Sequence, residues 1–303
     1  MRMSQQPLRF GVLTPIVSLN PRRQPTWEID SGPEELRQIA LTADRLGYHH
    51  LTCSEHVIIP SEVAKARGAR YYDPLATFGF MAAITKRVRF TTHVLVLPYH
   101  HPLAVAKRYG TLDRMSGGRL ILGVGVGTLR EEFDLLGAQF EGRGDIYTDG
   151  LKALRAALGK REPAYHGSHY HFEGMVVDPC AVQEHVPIWI GGKTPRSLRR
   201  ALEAADGWDP EARGGVDELG QILQQAKQWP EWQRRSAPLD VVLQTECPHD
   251  PTHGDDTAKA VDFIAKYQRA GATILNLHVK GRTLSHYLEQ LEAFQAKIAP
   301  RFG

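Results

Sequence analysis

The sequence predicts an α/β protein with a single (β/α)8 barrel domain. Apolar, strand-like runs alternate with amphipathic helical segments about eight times along the chain, which is the pattern of repeated βα units. The chain has 303 residues, of which 42% are hydrophobic, so it can bury one large core. A closed barrel of about 250 residues with added insertions fits this length better than an open doubly wound sheet does.

The predicted elements follow one another in a regular order. The first strand covers residues 8–13, and the next helix opens at Pro33 and ends at Gly47, because proline favours the first turn of a helix and glycine the position after its last. The second strand covers residues 48–52, and Asp73 caps the helix that follows. The remaining predicted strands are residues 88–97, 120–126, 187–190, 206–209, 239–244 and 273–279. The helices between and after them contain Pro102, Leu151, Pro195, Val216, Val261 and Leu284.

Two long segments, about 54–73 and 128–186, exceed what a minimal barrel needs. They follow the second and the fourth predicted strand. Ligands of parallel barrels bind at the carboxyl ends of the strands, where the βα loops begin. We therefore expect both insertions to cover the ligand-binding face.

Charge and cysteine content exclude several classes of partner. The 37 lysines and arginines nearly balance the 34 acidic residues, and no basic run stands out, so we expect neither a nucleic acid nor a membrane as partner. A small-molecule substrate is expected instead. The three cysteines are widely separated and form no CxxC pair, which indicates a reducing, cytoplasmic location.

The first candidate site is Ser54–Glu55–His56, which follows the second strand. A carboxylate beside an imidazole in such a loop can transfer a proton or bind the polar edge of a cofactor. The same pair is also common as a solvent-exposed surface feature.

The second candidate is Gly191–Gly192–Lys193–Thr194, between a strand and a helix that begins near Pro195. Glycines let the backbone approach an anion, and the helix N-terminus offers free N–H groups with a positive dipole end. These residues predict a phosphate cradle. The alternative is a tight βα turn with a good N-cap.

The third candidate lies at the ends of the third and fourth strands. Gly123, Gly125 and Gly127 form a GxGxG pattern followed by Thr128, and this spacing differs from the GxGxxG of dinucleotide-binding folds. Alternating glycines in a strand allow a flat ligand, or another backbone, to lie close. His93 interrupts the apolar third strand, so its imidazole either faces the barrel mouth or is satisfied by a neighbouring strand.

The fourteen histidines raise the question of a metal site. The densest group is His166-x-x-His169-x-His171, in a turn-rich part of the second insertion, with no acidic or cysteine ligand evident beside it. We therefore expect no metal.

Several strings together resemble the bacterial luciferase-like superfamily of flavin and deazaflavin oxidoreductases, and within it the branch that uses coenzyme F420. They are SEH after the second strand, TTHVLVLPYHHPLAVAKRYGTLDRMSGGRLILGVGVG, EEFDLLG, RG at 143–144, PIWIGG and ADGWDP at 205–210. The resemblance covers nearly the whole chain. It implies a (β/α)8 barrel with an insertion after the fourth strand, a cofactor across the carboxyl-terminal mouth, and a homodimer.

The resemblance also implies roles for individual residues. Glu55 and His56 match an acidic–histidine pair that contacts the cofactor ring and takes part in proton transfer. His93 and Val94 match a position where the family often has a cis non-proline peptide behind the ring, although the family usually has a small residue in place of His93. The positions that match the family's cofactor-lining strand and phosphate cradle are Gly125, Gly127, Thr128, Gly191, Gly192, Lys193 and Thr194.

The leading hypothesis is an oxidoreductase that moves a hydride between coenzyme F420 and a small organic substrate. In it His56 donates or accepts the proton, and Glu55 tunes or orients His56. One alternative is an FMN-dependent monooxygenase, which could share every motif above. The other is a protein that binds a flavin or deazaflavin without catalysis, because a fold fixes binding better than chemistry.

Overall fold

Eight parallel strand positions close into a barrel in the computed structural model, which describes residues 7–21, 26–210, 215–254 and 256–303. The third strand position is made of two segments, β3 and β4. A separate antiparallel hairpin, β6 and β7, lies in the second insertion. The strands are β1 (Arg9–Val12), β2 (His50–Cys53), β3 (Arg89–Thr92), β4 (Leu95–Val96), β5 (Leu120–Gly125), β6 (Tyr165–His166), β7 (His171–Phe172), β8 (Ile188–Gly191), β9 (Gly207–Asp209), β10 (Asp240–Glu246) and β11 (Ile274–His278).

Pairing between β3 and β5 completes the ring, with Phe90 opposite Leu120 and Thr91 opposite Ile121. On the other side of the barrel β1 lies between β2 and β11. β3 and β4 are separated at His93–Val94, where the peptide bond is cis. The closed parallel barrel predicted from the sequence is therefore confirmed, with an interruption in its third strand.

Helices surround the barrel and connect successive strands. They are α1 (Pro33–Leu46), α2 (Ser61–Arg67), α3 (Pro74–Ile84), α4 (Pro102–Ser116), α5 (Arg130–Leu136), α6 (Arg143–Ala157), α7 (Pro195–Ala204), α8 (Val216–Ala226), α9 (Pro230–Gln233), α10 (Asp256–Ala270) and α11 (Leu284–Lys297). Local chemistry sets their ends. Asp73 accepts a hydrogen bond from the backbone N–H of Ala76 at 2.8 Å and caps α3, and Gly47 ends α1 with φ of 76°. In the described ranges, no helix is long and apolar enough to cross a membrane.

Side chains alternate between the helices and the barrel interior along each strand. The inward-facing set includes a small apolar cluster of Ile121, Trp189, Val242 and Ile274, all buried. Polar side chains also face inward, since His50 is fully buried and its Nε2 lies 2.6 Å from Asn276 Oδ1. The interior below the mouth is therefore partly polar and depends on internal hydrogen bonds.

The two insertions contain elements beyond the one helix expected there from the sequence. The first holds α2, and the second holds α5, α6 and the β6–β7 hairpin. α2 and α5 each have seven residues, and the hairpin strands have two each. Such short elements contain too few residues for a hydrophobic periodicity to be recognised in the sequence.

Candidate functional site

His56 lies in the loop after β2 and is held by a carboxylate from the second insertion. Its Nδ1 is 2.9 Å from Glu132 Oε2, and its ring meets the edge of the Tyr71 ring with centroids 4.5 Å apart. The His56 side chain is 21% exposed, whereas that of Glu132 is fully buried. An imidazole whose Nδ1 is bound to a carboxylate presents Nε2 to its surroundings and can donate or accept a proton there.

Glu132 is the centre of a small hydrogen-bond network. Its Oε1 accepts from the backbone N–H groups of Val57 at 2.6 Å and Ile58 at 3.3 Å, and the Tyr99 hydroxyl donates to Oε2 at 3.0 Å. Burial alone would raise the pKa of Glu132, but the hydrogen bond and charge of His56 and the two backbone donors outweigh it, so the pKa lies below its usual value. Glu132 is therefore an anion at neutral pH. Burial and this neighbouring charge raise the pKa of Tyr99, which remains a hydroxyl donor.

Glu55 does not orient His56, contrary to the expectation from the sequence. Its carboxylate accepts from the backbone N–H of Val96 at 2.7 Å and lies 2.8 Å from His100 Nε2. Both residues lie in the loop beyond β2, and their side chains have different partners, His100 for Glu55 and Glu132 for His56. The structure gives Glu55 a contact with the end of the third barrel strand, and its catalytic role remains a prediction.

His93 points into the barrel beneath the mouth. Its Nδ1 is 2.8 Å from Asp209 Oδ2, and its Nε2 is 2.6 Å from the Gln244 side-chain nitrogen. The Ser54 hydroxyl donates to the His93 carbonyl at 2.8 Å. Of the two alternatives for His93, the structure supports an imidazole satisfied by neighbouring strands. Its backbone lies beside the loop that carries His56.

Gly125 at the end of β5 and Gly127 just beyond it fit closely against the interrupted third strand. A Cβ atom on Gly125 would lie 2.6 Å from Val94 Cγ2, and one on Gly127 would lie 2.6 Å from Val96 Cγ1. Sequence analysis left open a flat ligand or another chain segment as the reason for these glycines, and packing of the protein alone already requires them. Thr128, just beyond, is exposed. A cofactor-lining role of these three residues remains a prediction.

The loop 191–194 joins β8 to α7. Gly192 has φ of 113° and donates its N–H to the Asp209 carbonyl at 3.1 Å, while the Thr194 hydroxyl accepts from Ser197 N–H at 3.2 Å. Lys193 and Thr194 are exposed. Within the part of the chain that is described, the backbone N–H groups of Lys193, Thr194 and Arg196 have no protein acceptor. An anion at this helix N-terminus would thus meet these donors rather than the N–H of Gly192.

Sequence reasoning missed three residues that hold the site together. Glu132 stands in the quoted string EEFDLLG and Asp209 in ADGWDP, but neither received a role. Asp209 connects His93 to the loop at Gly192. Its side-chain Oδ2 bonds to His93 Nδ1, and its backbone carbonyl accepts the N–H of Gly192. Gln244, in the seventh barrel strand, carried no signal that distinguished it from other polar residues.

Comparison with known proteins identifies the family of this chain. The sequence model of the family described as "Luciferase-like monooxygenase" matches residues 8–299, and this chain belongs to that family. An uncharacterized protein of Mycobacterium tuberculosis is 27% identical over 86% of this chain and 92% of its own length. Another protein of that organism, provisionally named a coenzyme F420-dependent oxidoreductase, is 31% identical over 48% of this chain and 45% of its own.

Solved structures with low identity share the fold. A monooxygenase from Streptomyces bottropensis has a TM-score of 0.75 at 20% identity, covering 98% of this chain and 100% of the other. The oxygenating component of 3,6-diketocamphane monooxygenase from Pseudomonas putida, in complex with FMN, has a TM-score of 0.75 at 15% identity, covering 98% and 99%. An F420-dependent secondary alcohol dehydrogenase has a TM-score of 0.70 at 14% identity, covering 96% and 98%. The chain thus belongs to the luciferase-like oxidoreductases, and it shares their fold with solved structures described with F420 or with FMN.

Proposed function

We propose that this protein transfers a hydride between coenzyme F420 and a small organic substrate, and that His56 exchanges the accompanying proton. The observation that carries the proposal is the His56–Glu132 pair at the carboxyl ends of the strands, with Nδ1 and Oε2 2.9 Å apart. Hydride addition to a carbonyl carbon leaves an alkoxide that needs a proton, and the reverse reaction removes the proton of an alcohol. A partly exposed imidazole oriented by a buried carboxylate can serve in both directions.

The residues present suit a cofactor with a phosphate and a flat ring. When bound, a deazaflavin supplies the carbon that accepts or donates the hydride. The N–H groups of Lys193, Thr194 and Arg196 and the positive end of the α7 dipole would hold its phosphate. Val94 and Gly125 would lie against its ring. The partial similarity to a relative named for F420 supports this cofactor over FMN.

Binding and turnover experiments test the proposal separately. The protein is titrated with F420 and with FMN, and we expect micromolar or tighter binding of F420 and at least about tenfold weaker binding of FMN. Reduced F420 is then mixed anaerobically with a panel of aldehydes and ketones, and its oxidation is followed by absorbance. Equal affinity for the two cofactors, or FMN retained through purification, would overturn the choice of F420.

An FMN-dependent monooxygenase is the second candidate, because the matching family is described as monooxygenase and one structural neighbour contains FMN. Oxygen consumption by the protein with reduced FMN and a substrate would favour it. Tight cofactor binding with no turnover under either condition would favour a binding protein without catalysis.

We also propose a homodimer. Phe80 on α3 and Met115 on α4 are 38% and 75% exposed, on two helices that pack side by side. The proposed dimer would bury these two apolar side chains against a second subunit. Light scattering of the wild type and of Phe80→Glu tests this, since a dimer through this face should dissociate in the variant.

A further inference from the structure

The β6–β7 hairpin places two histidines side by side on its outer face. His166 and His171 are directly opposite each other in the antiparallel register, with their Nδ1 atoms 3.0 Å apart. Glu173 lies two residues after His171, on the same face, and its Oε2 is 3.4 Å from His166 Nε2. One ligand atom from each of the three side chains lies within 4.8 Å of the others. All three residues are exposed.

The hairpin is fixed from its other side. Asp149 on α6 accepts the backbone N–H groups of Ser168, His169 and Tyr170 at 3.2, 2.9 and 3.0 Å, and the Tyr165 hydroxyl at 2.7 Å. Burial alone would raise the pKa of Asp149, but these four donors outweigh it and keep the pKa below its usual value. The carboxylate is thus charged at neutral pH and holds the turn as a strong acceptor.

The apolar side of the hairpin is also anchored. Phe172, between His171 and Glu173, is buried, and its ring lies 6.0 Å from that of Tyr165, centroid to centroid. Alternation along β7 therefore sends Phe172 to the core while its two neighbours stay in solvent. Asp149 and Phe172 hold the backbone that carries the potential ligands. Binding of an ion therefore costs little backbone conformational entropy.

We propose that His166, His171 and Glu173 form a binding site for a divalent transition-metal ion such as Zn²⁺. Two imidazole nitrogens and one carboxylate oxygen are a ligand set that Zn²⁺ takes at about 2.0–2.2 Å, with water completing the coordination. Because the three side chains are exposed, small rotations can bring them to these distances. The expectation of no metal overlooked Glu173, which follows His171 by two residues and which the hairpin brings within 3.4 Å of His166 Nε2.

The site differs from the proposed active site in both position and chemistry. A bound ion would tie β6 to β7 and so stabilise the rim formed by the second insertion, where the ring of Tyr170 meets that of His101 at 5.4 Å, centroid to centroid. The proposal does not depend on the identity of the organic cofactor.

Zinc titration of the full-length, tag-free protein tests the site. After treatment with a chelator, the wild type is titrated with ZnCl₂ by isothermal calorimetry, and we expect one ion per chain with micromolar affinity. His166→Ala and His171→Ala should weaken binding by at least about tenfold, because each removes a direct ligand. Glu173→Gln should weaken it severalfold.

The matched control is His169→Ala, which removes an exposed histidine of the same turn that lies outside the three-residue cluster. It should retain wild-type affinity, and circular dichroism should show that all variants are folded. Cu²⁺ bound to the wild type should give an electron paramagnetic resonance signal with coupling to two nitrogens, reduced to one in either histidine variant. Wild-type Zn²⁺ affinity in the double variant H166A/H171A, or an equal loss in His169→Ala, would overturn the proposal.

Discussion

Replacement of Glu132 by glutamine tests how the candidate site is organised. Glutamine has the shape of glutamate, and its one carbonyl oxygen can still accept the N–H groups of Val57 and Ile58. Its NH₂ group then faces His56 Nδ1 and the Tyr99 hydroxyl, where the wild type has an acceptor at 2.9 and 3.0 Å. The two hydrogen bonds that Glu132 Oε2 accepts in the wild type are therefore lost or reversed, and His56 either carries its proton on Nε2 instead of Nδ1 or changes orientation.

The size of the effect follows from the kind of bond that is lost. A hydrogen bond to a charged group contributes about 1.5–3 kcal/mol. His56 is 21% exposed, so water replaces part of the lost interaction. If the orientation of the imidazole stabilises mainly the transition state, the loss of this energy lowers kcat by about ten- to hundredfold. Cofactor affinity should change far less, because the loop 191–194 is a separate contact.

The assay compares kcat, KM and the cofactor Kd of Glu132→Gln with those of Glu131→Gln. The control makes the same chemical change on the adjacent, exposed residue of α5, and we expect it to leave all three values near those of the wild type. Full turnover in Glu132→Gln, or an equal loss in the control, would show that His56 does not need this carboxylate.

Three further predictions follow from the described contacts. His56→Ala should lower turnover by about a hundredfold with little change in cofactor Kd, and added imidazole should restore part of it; full turnover in the variant would remove His56 from the chemistry. Gly192→Val should weaken cofactor binding, because φ of 113° disfavours a branched side chain, whereas Gly79→Ala, where a Cβ meets no atom within 4 Å, should not. Burial, together with two nearby arginines, lowers the pKa of His49 to about 3 from 6.5. Between about pH 6.5 and pH 3 the unfolded chain binds this proton and the folded protein does not, so His49 should remove about 1.4 kcal/mol of stability per pH unit as the pH falls. Urea titrations of His49→Gln should therefore show a shallower loss of stability than those of the wild type.

The barrel could be predicted because its signals are local. Helix starts at Pro33, Pro102 and Pro195 agree with the structure to the residue, since each depends on a proline and on the capping residue before it. Strand positions came from runs of β-branched and apolar residues, which the barrel buries on both faces. Each of these patterns can be recognised within a short segment, without information on the residues that contact it in the folded protein.

The contacts inside the site could not be predicted in the same way. Glu132 meets His56 across 76 positions of the sequence, His93 meets Asp209 across 116, and Gln244 meets His93 across 151. Barrel closure brings these side chains together, and no periodicity specifies which polar residue of one strand faces which of another. Even the adjacent residues Glu55 and His56 have separate partners, His100 and Glu132, which their proximity in the sequence does not indicate.

The positions of the candidate site differ in how well a substitution can test them. Gly125 and Gly127 are already required by packing against Val94 and Val96, so a variant with impaired function there would report a displaced strand as readily as a lost ligand contact. Lys193 and Thr194 are exposed, and their N–H groups have no protein acceptor within the described ranges. His56 is likewise partly exposed, and one identified carboxylate orients it. A side-chain substitution is therefore most informative at His56, whereas Gly192→Val changes the backbone of the loop together with any anion contact.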